Sequence, residues 1–195
     1  MTNSLPRDQS IEVAPASEPN ADPAQGTISV RELFEMHAAY VWNTLRRLGV
    51  SASDLEDFTH DVFLQVHRHI RDYKPGNPVR PWLFAFAYRI ASQQRRRAYR
   101  RHETYGEPDR AFHPGMPPDE QLARDEDRRL VIAALHAIEM ERRAVFVLYE
   151  IDGLGMGEIA TSLGIPANTG YSRLRVARAE FAAAVKRLRP RRGES

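Results

Sequence analysis

The sequence predicts an all-α protein of two small helical domains joined by a flexible acidic linker, the second a helix-turn-helix, winged-helix-like but with no strands. Three observations lead there. Apolar residues recur every three or four positions through most of the chain, and no strand-like alternation occurs anywhere. A stretch rich in Pro and Gly, from His102 to Leu122, interrupts that periodicity. Near the end, Met156 to Arg178 reads as a short helix, a tight turn and a longer basic helix. The expected organisation is a disordered tail over 1–27, a first domain over 28–103, a linker over 104–127, a second domain over 128–189 and a basic tail over 190–195.

The elements follow in order. Residues 1–27 are poor in aromatics and rich in Pro, Ser, Ala and acids, a disordered composition. From Ser29, the residues Leu33, Phe34, Met36, Ala38, Tyr40, Val41, Leu45 and Leu48 supply an apolar stripe that Gly49 ends. Ser51 and Ser53 offer caps for a second helix, Asp54 to Ile70, whose buried face is Leu55, Phe58, Val62, Val66 and Ile70. Asp54, Asp57 and Asp61 share another face. Acids early in a helix complement its dipole, but Asp61 lies two turns in, where that effect has faded. Spacing alone leaves a solvated acidic face and a dock for a basic partner equally open, with Gln65 exposed beside them.

Tyr73 to Pro81 is a loop carrying three prolines, a glycine and an asparagine. The helix from Trp82 to Arg101 begins aromatic and ends basic. Trp82, Phe84 and Phe86 are expected mostly in the core, whereas Tyr88, Arg89, Gln93, Arg95, Arg96 and Arg97 are candidates for contact with opened nucleic acid, where bases stack on rings and guanidinium groups hold phosphates. A core helix with a solvated basic end is the plainer alternative. Helical pattern resumes from about Glu120 to Ile138, and again from Glu141 to Tyr149. In the final motif Ile159, Ala160 and Leu163 face inward, Gly164 takes positive φ, and Pro166 blocks simple continuation. Leu174, Val176, Ala177 and Phe181 then face inward, with Tyr171, Ser172, Arg173, Arg175 and Arg178 outward, the polarity of a DNA-reading helix.

Charge follows the same division. Residues 31–103 hold 13 basic and 8 acidic residues, residues 104–127 hold 2 and 7, and residues 128–195 hold 12 and 7. Two basic blocks around an acidic connector suggest two contacts with a polyanion. The chain has no Cys, which excludes disulfides and thiolate metal sites. His60, His67 and His69 diverge too far on a helix to chelate well together, so no metal or other cofactor is expected. No nucleophile–base constellation or phosphate loop is legible, so catalytic residues and enzymatic activity are not expected. No apolar run approaches a membrane span and no signal pattern opens the chain, so a cytoplasmic protein without membrane contact is expected.

Three segments in order carry a family likeness: Asp54-Leu-Glu-Asp-Phe-Thr-His-Asp-Val-Phe-Leu-Gln-Val, then Pro81-Trp-Leu-Phe, then Gly153-Leu-Gly-Met-Gly-Glu-Ile-Ala with Ser172-Arg-Leu-Arg. Together they resemble bacterial RNA polymerase sigma factors of the sigma-70 family, in the extracytoplasmic-function group. The resemblance implies core RNA polymerase and promoter DNA as partners, and promoter melting as the outcome. It implies that Asp54, Asp57, His60, Asp61 and Gln65 dock on the clamp of the largest polymerase subunit, and that the second domain meets the flap of the second-largest. It places Lys74, Asn77, Arg80, Trp82, Tyr88, Arg89, Gln93, Arg95, Arg96 and Arg97 at the −10 element, with a flipped base in the loop. Asn168, Thr169, Tyr171, Ser172, Arg173, Arg175 and Arg178 would read the −35 element. An anti-sigma factor is a further implied partner.

The chain departs from the family pattern at His60 (usually Gln), Arg89 (often Asn), Met140 (commonly Pro), Gly170 (a buried Val or Ile) and Tyr171 (Lys). Gly170 is expected to cost on the order of 1 kcal/mol in helix propensity and to weaken the surrounding core. The alternative function is a polymerase-independent helix-turn-helix regulator with a helical N-terminal sensing or dimerisation domain. A protein-binding adaptor acting through the acidic helix is a third.

Overall fold

The computed structural model describes residues 29–74, 76–101 and 118–189, and among these it holds seven α-helices and no strand. Both expected tails, and linker residues 104–117, lie outside the described residues.

Helix α1, Val30–Leu48, starts on a capping box. Ser29 Oγ accepts from the Glu32 amide at 3.1 Å, and Glu32 accepts from the Ser29 amide at 2.8 Å. Gly49 ends it in the left-handed region at φ 96°, as the sequence predicts. A 3₁₀ turn, Ala52–Asp54, leads into α2, Leu55–His69. The expected serine caps do not form. The Ser51 and Ser53 hydroxyls bond each other at 3.0 Å and Ser53 donates to Asp54 at 3.1 Å, so the 3₁₀ turn takes both side chains away from the α2 amides. After a second 3₁₀ turn, Ile70–Asp72, α3 runs Val79–Arg101. It takes Arg80 and Pro81 out of the expected loop, since a first-turn proline lacks only an amide that would have no helical partner.

Helix α4, Pro118–His136, starts earlier than expected, so residues 118–127 are helical and not linker. Helix α5, Met140–Phe146, widens into a π turn, Val147–Ile151, where a regular helix to Tyr149 was expected. That turn closes through Asp152 N–H to Val147 O and Leu154 N–H to Leu148 O, both 3.0 Å. Helix α6 is Met156–Leu163, Gly164 turns the chain at φ 64°, and α7 is Ala167–Leu188.

Helices α1, α2 and α3 pack around Leu33, Val41, Leu45, Val62, Val66, Leu83 and Phe84. Helices α4, α5 and α6 pack against α7 or the π turn, around Leu135, Ile138, Val145, Leu148, Ile159 and Leu174. The two units also touch: α6 lies on α3, and α4 and α5 lie on α1, so one buried apolar cluster runs through both.

The expected core defect at Gly170 is absent. Gly170 is buried, and a Cβ there would fall inside the radius of the Met156 sulfur. The unbranched thioether of α6 occupies the volume that a branched residue on α7 would have filled.

Candidate nucleic-acid interface

Three faces take shape from these helices. On α2, Asp57, His60 and Asp61 are exposed, and Asp54 and Gln65 half-exposed, as the periodicity required. Beside them lies a feature the periodicity did not reveal, an apolar groove of about 400 Å³ between α1 and α2, lined by Phe34, Ala38, Ala39, Trp42, Glu56, Thr59 and His60. Phe34 and Met36, both of the apolar stripe, are 45% and 60% exposed, and Trp42, outside that stripe, is 38% exposed. The α1 stripe is wider than the face α2 and α3 cover, which is why periodicity overestimated its burial.

The second face runs along α3. Tyr73 tilts against Trp82 with ring centroids 5.0 Å apart, and Trp82 meets Phe86 edge-on at 5.1 Å. His69 tilts against Phe86 at 5.5 Å, and the Arg89 guanidinium lies 4.8 Å over the same ring. Sequence reasoning missed His69, because the contact joins α2 to α3. Phe86 and His69 border a cleft of about 610 Å³ that Gln65, Tyr88, Arg89, Gln93 and Arg96 also line. The Tyr73 hydroxyl donates to Asn77 O and so braces the loop that exposes Lys74 and Asn77.

The ten residues expected at this face do not all share it. Trp82, Arg89, Gln93 and Arg96 recur at helical spacing along one stripe, and Arg97 is exposed beside them. Arg80 instead lies 5.4 Å over the Tyr40 ring of α1. Arg95 lines a small cavity with Leu48, Gly49, His136 and Arg143, against the C-terminal unit. Tyr88 lines the cleft and is half-buried, with its phenol pKa raised, first by burial, and Glu141 and Arg173 of the C-terminal unit are among the charges that act on it.

On α7, Asn168, Tyr171, Ser172 and Arg175 form an exposed stripe at i, i+3, i+4 and i+7. Thr169 and Arg173 are half-buried at its edge. Two of the cations are already paired. Arg173 binds Glu141, and Arg178 binds Glu150 through Nε at 2.7 Å while lying 5.4 Å over the Tyr149 ring. Arg142 and Glu180 form a bidentate bridge that ties α5 to α7, with bonds of 3.0 and 2.8 Å. Among the described residues, no group of three acids or histidines is placed to hold a metal ion, and no helix is long and apolar enough to cross a membrane.

An acidic stripe and an aromatic–arginine stripe on one three-helix unit, followed by a helix-turn-helix unit, are the parts of a promoter-specificity subunit. Comparison with known proteins agrees. Sigma-70 region 2 matches residues 33–104, and Sigma-70, region 4 matches residues 128–181. The ECF RNA polymerase sigma factor SigL of Mycobacterium tuberculosis is 32% identical over 151 residues, covering 76% of this chain and 84% of that one. The chain therefore belongs to the extracytoplasmic-function sigma factors of the sigma-70 family, and it directs transcription initiation by core RNA polymerase at promoter DNA. Two solved structures share the fold. CnrH in complex with the cytosolic domain of CnrY has a TM-score of 0.59 at 24% identity, over 82% of this chain and 89% of that one. The sigma factor RpoE in complex with the anti-sigma factor NepR, from Bartonella quintana, has 0.63 at 18%, over 82% and 98%. Proteins of this class are generally DNA-recognition subunits and not enzymes.

Proposed function

We propose that the three faces divide the work of initiation as follows. The α2 carboxylates Asp57 and Asp61, with His60 and Gln65, dock on the basic clamp of the largest polymerase subunit. The α3 stripe of Trp82, Arg89, Gln93 and Arg96, with the loop of Lys74 and Asn77, holds the opened −10 strand, and a flipped base enters that loop. The exposed α7 stripe of Asn168, Tyr171, Ser172 and Arg175 enters the major groove of the −35 element, and the C-terminal unit meets the polymerase flap. Such a protein works in the cytoplasm, and an anti-sigma factor is a fitting regulator, since the RpoE relative named above is in complex with one.

The observation that carries this reading is the joining of α2 and α3 around one cleft, lined by Gln65 of the acidic helix and Arg89 of the basic one. A helix that docks on polymerase there shares a wall with a helix suited to single-stranded DNA, so docking fixes where the strand is held. Specificity then arises because weak contacts become strong once tethered. The test is binding to purified core enzyme. Asp57→Arg with Asp61→Arg should weaken it about tenfold or more by placing like charge against the clamp, while binding of the free chain to duplex DNA does not fall. Unchanged core affinity would remove the α2 assignment.

A further inference from the structure

We propose that Glu141 and Glu150 hold Arg173 and Arg178 back from DNA phosphates, so that α7 meets duplex DNA through its base-reading stripe and one free arginine. The inference rests on the assignment of α7 to the −35 element above.

The sequence offers α7 as a helix with three arginines near its start, Arg173, Arg175 and Arg178, all on its outward side. Folding makes them unequal. Arg175 is exposed in the stripe with Asn168, Tyr171 and Ser172, and it has no ionic partner among the described residues. Arg173, at the edge of that stripe, binds the carboxylate of Glu141 at the start of α5. Arg178 reaches Glu150 Oε1 through Nε at 2.7 Å and through Nη2 at 2.6 Å, and it lies 5.4 Å over the Tyr149 ring. Glu150 and Tyr149 both belong to the π turn, a distortion of a helix that often marks functional sites. The bidentate bridge of Arg142 to Glu180 fixes α5 on α7 one residue away from Glu141. The two acids are therefore presented to their arginines from a rigid frame.

Stability is a weak reason for these two pairs. Glu141 is 53% exposed and Arg178 54%, and exposed ion pairs add little, because water screens them and two long side chains must be ordered. The buried apolar contacts of the unit and the bridge to Glu180 already join α5 to α7.

At a duplex the same acids have a larger effect. A free arginine that meets a phosphate releases condensed counterions and adds affinity for any sequence. Such contacts position a protein but carry no sequence information, which comes from base edges. Pairing Arg173 and Arg178 with carboxylates removes about two of these contacts and leaves Asn168, Tyr171, Ser172 and Arg175 to read bases. The free chain then has low affinity for bulk DNA. Tethering on polymerase supplies the effective concentration that a weak −35 contact needs. Glu141 and Glu150 are positioning residues in this scheme, acting through the arginines they hold.

The test uses the full chain. Binding to a mixed-sequence duplex of about 30 base pairs is followed by fluorescence anisotropy from about 50 to 200 mM salt. Glu141→Gln and Glu150→Gln should each tighten binding at low salt. Each should also steepen the slope of log affinity against log salt by about 0.9, a further three- to fourfold loss over that range. Adding Arg173→Ala to Glu141→Gln should return the slope to that of the parent. Glu35→Gln, which removes the exposed partner of Arg31 on α1, makes the same change in net charge and should leave the slope where it was. Circular dichroism checks the fold, and the two acids lie on separate turns, so either variant carries the test if the other unfolds. Slopes that match the parent in the folded Gln variants would overturn the proposal. So would a slope that stays steep when Arg173→Ala is added, or one that Glu35→Gln steepens equally, since both outcomes make the effect one of net charge. Promoter-dependent transcription with core polymerase and Arg175→Ala is measured in parallel. Unchanged promoter choice in that variant sinks the −35 assignment itself, whereas lost transcription with unchanged slopes in the Gln variants sinks the role of the acids alone.

Discussion

Gly170 and Met156 illustrate how single residues decide what the helix-turn-helix can do. The sequence shows a glycine where the family has a branched residue, and propensity reasoning reads that as damage. It cannot show that the compensating atom lies 14 positions earlier, in Met156. Gly170→Val should therefore destabilise the protein by about 1–3 kcal/mol through overpacking, and pairing it with Met156→Ala should recover part of that loss, read as the denaturation midpoint. Stabilisation by Gly170→Val alone would show that the site is underfilled. Gly49 is different in kind. Its stop signal was legible from the end of the apolar stripe, but its second duty, clearing a path for Arg143, depends on a residue 94 positions later and has no local signature.

At the scale of the element, helix existence was legible and helix ends were mixed. Gly49 and Gly164 set boundaries by local chemistry, and the structure agrees, while the Ser29–Glu32 capping box emerged only from the structure. Ser51 and Ser53 have the right chemistry for caps, yet a 3₁₀ turn draws their hydroxyls elsewhere. The π turn at Val147–Ile151 leaves no mark on the periodicity. The same limit applies to the functional faces. The carboxylates of α2 and the outward stripe of α7 could be read from spacing, because each lies on one helix. The ring cluster of Tyr73, Trp82, Phe86 and His69 could not, because it joins three segments. Spacing also could not show that Arg80 lies over the Tyr40 ring or that Arg95 lines a cavity with His136 and Arg143, whereas Tyr88 lines the α2–α3 cleft. If the cluster serves the opened strand, Trp82→Ala and Arg89→Ala should each weaken binding of promoter carrying a preformed bubble by about 1–3 kcal/mol in the polymerase-bound state, with duplex −35 affinity unaffected. Equal losses on both probes would point to a folding defect.

For the whole molecule, the two-unit architecture was visible in composition, as two basic blocks around an acidic stretch, but the seam between the units was not. Tyr40 and Asp152, or Leu48 and Arg143, are ordinary residues until folding brings them together. The seam also predicts a pH response. Burial lowers the His136 pKa, opposed by its bond to Arg46 O and aided by the nearby charges of Arg143 and Arg46, and Arg95 lines the same cavity. A histidine held neutral in the folded chain binds fewer protons there than in the unfolded chain. Its contribution to stability is therefore complete above the ordinary value of 6.5 and is lost as pH falls below it. Lowering the pH from about 7.5 to 6 should lower the denaturation midpoint, and His136→Asn should blunt that response. His37, whose pKa is also lowered by burial and by Arg80, leaves a residual response in the variant. A response of equal size in the variant would move the effect away from His136.

The central claim is that this chain gives core RNA polymerase its choice of start site, with docking through α2 as the first step. The most direct measurement is run-off transcription on fragments of the source genome with purified core enzyme, comparing no added chain, the parent and the Asp57→Arg, Asp61→Arg variant. The account predicts discrete transcripts with the parent, none without it, and loss of those same transcripts with the variant. Transcripts that are the same with and without the parent chain would contradict it.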